Sequence, residues 1–105
     1  MSSITFIYIL RLTSNYTEKN NWTNETREIV SEHFNHLKHL KDNGQVLLAG
    51  KTDYDVNHLN NFGIVIFQAK DLVIARDLME KDPAIQAGIM SAELHPFSLS
   101  LIVNQ

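Results

Sequence analysis

An α+β domain of order β-α-β-β-α-β is predicted by three observations. Four runs are rich in β-branched, leucine or aromatic residues. Two stretches with helical periodicity separate the first run from the second and the third from the fourth. Glycine, proline and aspartate stand at the junctions, where caps and turns need them.

Residues Ile4–Leu12 read as the first strand, and the polar Thr13–Asn21 segment as a loop. Trp22–Asn43 has the spacing of a long helix, which Gly44 stops. Gln45–Gly50 is a short second strand, Lys51–Asn60 a polar connection and Asn61–Gln68 a third strand. Asp71 is placed to cap a second helix over Leu72–Lys81. That helix must end before Pro83, because proline disfavours helical geometry at Asp82. Pro83 can open a further short turn of helix that ends at Gly88. Ile89–Val103 is a last strand with a break near Pro96. This order is the split βαβ, or ferredoxin-like, arrangement, with four antiparallel strands and both helices on one face.

The chain has 105 residues, 44% of them hydrophobic and 20% charged, and no cysteine. These values fit one domain over residues 1–105 and exclude a disulfide framework or a thiolate zinc site. A formal charge of -3 without a basic patch argues against nucleic acid as a partner. No apolar stretch approaches a membrane span, and the first strand lacks the features of a signal peptide. A cytoplasmic location is therefore expected. Asn15, Asn21 and Asn24 begin Asn-x-Thr triplets, read here as chance in an Asn-rich chain.

The strands carry a second message. Ile4, Phe6, Tyr8, Leu10 and Leu12 lie on one face of the first strand, and Ile7 and Ile9 on the other. In the third strand Phe62, Ile64 and Ile66 oppose Val65 and Phe67. A half-exposed antiparallel sheet should alternate apolar and polar residues. Two helices can cover only one face, so a second copy packed sheet to sheet is expected: a homodimer, with higher assembly left open.

On the first helix Ile29, Val30, Leu37 and Leu40 form one stripe, with His33 at its centre. An imidazole there must be hydrogen-bonded or open to a cavity. It is either a satisfied core histidine or a general acid/base, whose usual pKa of about 6.5 suits proton transfer. His36 lies at the edge of the stripe, on what reads as a solvated flank. His39 is rotated from His33 by about 240°, so the three do not form a metal site. Asp82 is the best partner for His33, since one carboxylate oxygen can cap the short helix while the other accepts from the imidazole. Tyr8, Gly50 and Trp22 are the candidate substrate-binding residues, in a pocket between helices and sheet. Lys51 could attract an anion or simply face solvent, and Arg11 could border the cavity or the sheet edge. His58 and His95 fall in a polar loop and near the end of the last strand. No cofactor site is evident.

Taken together, several segments resemble the YciI-like (YCII-related) family. His33 precedes Gly44 by eleven residues, and Leu47-Leu48-Ala49-Gly50 follows. Farther on come Asp82-Pro83, Ala87-Gly88 and His95-Pro96-Phe97, as in that family's tail. The resemblance implies a dimeric α/β barrel with a His–Asp pair, carried here by His33 and Asp82. Two departures concern the pocket. Val30-Ser31-Glu32 leads to His33 where many members have Arg-Pro-x, and Lys51 stands where many have proline. The expected function is acid/base chemistry (isomerisation, elimination or hydrolysis) on a small, cyclic organic substrate. The alternative is a non-catalytic ligand-binding or interaction module. Dimeric barrels of this type also host cofactor-free oxygenases, a reading that rests on the fold analogy alone.

Overall fold

The computed structural model describes residues 3–103. Four strands, β1 (Ile4–Leu12), β2 (Val46–Lys51), β3 (Gly63–Ala69) and β4 (Met90–Pro96), form one sheet of order β2-β3-β1-β4. All neighbouring pairs are antiparallel. The helices α1 (Asn24–Asp42), α2 (Leu72–Glu80) and α3 (Pro83–Gln86) lie on one side of it. This is the ferredoxin-like arrangement.

The first helix starts two residues later than its periodicity suggests. Thr23 caps it, accepting from the Thr26 backbone N–H at 3.2 Å, while the Thr26 hydroxyl accepts from the Thr23 N–H. Trp22 is therefore outside the helix, with its indole N–H on the Tyr16 carbonyl at 2.8 Å. The loop before it holds two short 3-10 turns, Ser14–Thr17 and Lys19–Asn21. Asp71 caps α2 by accepting from the Ile74 N–H at 2.9 Å. Gly44 and Gly88 take positive φ, +82° and +75°, where a Cβ would be strained. The last strand ends at Pro96, well short of Val103. Phe97 still donates to the Thr5 carbonyl, but 98–103 form no regular element, and Leu101, Ile102 and Val103 are exposed.

The register assigns the faces. Phe6 pairs with Phe67 and Tyr8 with Val65, and all four are buried against Leu37, Ala75 and Met79 of the helices. The opposite face carries Ile7 beside Ile66 and Ile9 beside Ile64, with Leu48 next to Ile66. Among the described residues no helix covers that face. Among the described residues no helix is long and apolar enough to cross a membrane.

Candidate functional site

Three elements meet at Asp82. Its position as N-cap of α3, with Pro83 at the first helical position, turns the carboxylate back toward the short helix. Oδ1 accepts from the Ala84 N–H at 3.0 Å. The same oxygen is 2.6 Å from Nδ1 of His33, which α1 presents from its inner stripe. Oδ2 accepts from the Tyr8 hydroxyl at 2.8 Å, rising from the helix-facing side of β1. Asp82 and Tyr8 are fully buried.

Burial alone would push the Asp82 carboxyl up. The hydrogen bond and charge of His33, the Tyr8 hydroxyl and the Ala84 amide outweigh it and hold the group below the usual carboxylate range. Asp82 is therefore an anion, and an anion can only accept. Nδ1 of His33 must carry a proton. Among the described residues Nε2 of His33 has no hydrogen-bond partner, and it is not sealed from solvent. The ring forms part of the wall of a cavity of about 570 Å³, at the end of the sheet where β1 and β2 finish and β3 begins. The walls are mainly apolar, with Val30, Phe34 and Leu37 of α1 and Val46, Ala49 and Val65 from the helix-facing side of the sheet.

Trp22 and Gly50 both line this cavity. Tyr8 does not: its ring packs edge-on against Phe67, and its hydroxyl lies behind the dyad. The structure places Tyr8 behind the dyad and not on the cavity wall, with its hydroxyl turned to Asp82. Phe34, 65% exposed at the mouth, was not singled out by its sequence position. His36 differs from the solvated flank expected of it. Its Nε2 is buried with no hydrogen-bond partner among the described residues. His39 is exposed, His58 stacks on Tyr54, and His95 lies 3.5 Å from Glu93. Among the described residues no three His, Asp or Glu side chains gather as a metal site.

Burial pushes the Tyr8 phenol far above its ordinary value of 10, and the charge and hydrogen bond of Asp82 push it further. In the unfolded chain it would ionise near pH 10. Its contribution to stability is therefore full below about pH 10 and is lost as pH rises beyond it. Tyr8→Phe should cost about 1.5–3 kcal/mol at neutral pH, the worth of a hydrogen bond to a charged group. The deficit should narrow in denaturant titrations above about pH 10. A deficit constant through that range would contradict the assignment.

The fold and site define a ferredoxin-like domain with a buried carboxylate fastened to a cavity-lining histidine. The chain belongs to the YCII-related domain family, whose match spans residues 8–98. Its fold is similar to that of a 5-chloro-2-hydroxyhydroquinone dehydrochlorinase from Burkholderia phenoliruptrix AC1100, solved in complex with 2,5-dihydroxybenzoquinone. The TM-score is 0.66 at 15% identity, over 90% of this chain and 94% of that one. No curated protein matches the sequence.

Proposed function

We propose that this chain is an enzyme that moves a proton on a small ring-bearing substrate, with His33 as the base and Asp82 as the residue that positions it. One observation carries the reading: Nδ1 of His33 is tied to a buried anion while Nε2 is left open. In that tautomer Nε2 holds a lone pair, and the imidazolium formed on proton uptake lies against a carboxylate that stays ionised. A general base needs this arrangement, and a purely structural pair does not.

Elimination of HCl from a chlorinated hydroquinone is the form we favour, on the likeness in fold to the dehydrochlorinase. One hydroxyl proton moves to the ring carbon that bears chlorine, His33 takes a second hydroxyl proton, and the electron pair passes through the ring to that carbon as the C–Cl bond breaks with its pair leaving on chloride, giving a quinone. No oxidant or reductant is needed. The test is chloride release from 5-chloro-2-hydroxyhydroquinone and related chlorinated quinols. Release that falls to background in His33→Ala is expected. No release from any of them, or release indifferent to His33→Ala, would overturn the reading.

We also propose that a second copy covers the helix-free sheet face. Ile7, Ile9, Ile64 and Leu48 give that face an apolar surface the chain cannot cover itself. Sedimentation at micromolar concentration should show twice the 12.0 kDa chain mass, and a stable monomer would contradict this.

A further inference from the structure

The charge around the cavity is out of keeping with the charge of the chain. Four of the nine Lys and Arg residues line it (Arg11, Lys38, Lys41 and Lys51), and none of the twelve Asp and Glu do. An acidic protein has thus gathered cations, and no carboxylates, around this apolar hollow.

The four are not equivalent. Lys38 and Lys41 both lie 3.3 Å from Asp42, so their charge is largely answered. The Arg11 guanidinium is laid over the Phe62 ring at 5.5 Å, on the helix-free side of the sheet. Lys51 has no carboxylate partner among the described residues. Its ammonium donates to the Thr52 carbonyl at 2.8 Å, which leaves two N–H donors unused. The register sets Lys51 beside Gly63, and Gly63 beside Leu10. Leu10 shares its face with Tyr8, so Lys51 stands on the side of the sheet that α1 and His33 cover. Gly63 keeps the floor between them open. A Cβ there would lie 3.7 Å from the Cβ atoms of both Leu10 and Lys51, and 3.3 Å from the Gly50 carbonyl.

We propose that this cavity selects an apolar, ring-bearing molecule with a negative charge, whose anionic group is held by Lys51 while the ring lies among Trp22, Phe34 and Leu37. The inference rests on the cavity's being the substrate site, and it adds the charge of the ligand. An anion at Lys51 exchanges part of its water for the free N–H donors. The ring exchanges its water for apolar walls. A neutral ring gains only the second.

Trp22 is the chain's only tryptophan and lines the cavity, so its fluorescence reports occupancy. The experiment titrates the full chain with 4-chlorobenzoate and with its neutral counterpart, 4-chlorobenzyl alcohol. The benzoate should bind about fivefold more tightly, the upper end for a single exposed ion pair. Added salt should shrink the preference. Lys51→Gln should abolish it, and Lys51→Arg should keep it. Equal binding of the two ligands, no saturable binding of either, or an undiminished preference in Lys51→Gln would overturn the proposal. A clear preference in a chain that turns nothing over would overturn only the proton-transfer reading. Turnover without the preference would overturn only the anion site.

Discussion

Replacing Asp82 with alanine is expected to lower the unfolding free energy by about 3–5 kcal/mol, the cost of breaking a buried charged pair by removing one partner. Three donors lose their acceptor at once: the His33 ring, the Tyr8 hydroxyl and the Ala84 amide. The Tyr8 hydroxyl is then fully buried without a partner, and α3 loses its cap. A domain of this size has only about 5–15 kcal/mol in total, so urea unfolding should show a large shift. Asp82→Asn should behave differently. Asparagine still caps and still accepts, so most of the stability should remain. Its oxygen must take the Oδ1 place, which serves both the Ala84 amide and Nδ1 of His33, so its NH2 faces the Tyr8 hydroxyl and no anion remains to stabilise the imidazolium. Turnover should then fall by about 10²–10⁴-fold, the usual worth of a positioned base. Equal stability loss in both variants would mean that the carboxylate's shape and bonds matter less than its charge.

His33→Ala should remove turnover and also invert a pH dependence. In the intact chain Asp82 is opposed by burial, but its bonds hold it below the ordinary carboxylate range. Its contribution is thus present above that range and is lost as pH falls through the folded value. Without His33, burial meets only Tyr8 and Ala84, and the carboxyl titrates higher. An anion buried with fewer donors is most costly near neutral pH and less so once protonated. The stability gap between His33→Ala and the parent should therefore be widest near neutral pH and narrow below about pH 4. A gap constant across that range in denaturant titrations would show that His33 does not govern the ionisation of Asp82.

Much of the fold was legible because local chemistry and packing agree. Asp71, Gly44, Pro83 and Gly88 stand at element ends and act there as caps or stops. The two-faced apolar pattern of β1 and β3 was legible in the sequence, but which face the helices cover came only from the register and the packing. Errors fell where a local signal competes with context. Trp22 fits the helical period, but the Thr23–Thr26 capping box starts the helix after it. Leu99 to Val103 have strand-forming side chains, but no neighbouring strand pairs with them.

The site divided in the same way. His33 was visible because a polar residue in the middle of an apolar stripe needs an explanation. Asp82 was visible because Asp-Pro marks a cap. The part played by Tyr8 was not visible, since its bond to Asp82 joins residues 74 positions apart and leaves no spacing to read. The cationic lining was hidden for the same reason: Arg11, Lys38 and Lys51 come from three elements and meet only in the folded chain.

The protonation of the two ring nitrogens of His33 can be read from a long-range proton–nitrogen NMR correlation on labelled protein at neutral pH. With Asp82 ionised at 2.6 Å, Nδ1 must carry a proton. The expected spectrum shows a protonated Nδ1 and a bare Nε2. A proton on Nε2 with a bare Nδ1 in the parent chain would contradict the account, because the nitrogen facing the cavity would have no lone pair with which to act as a base.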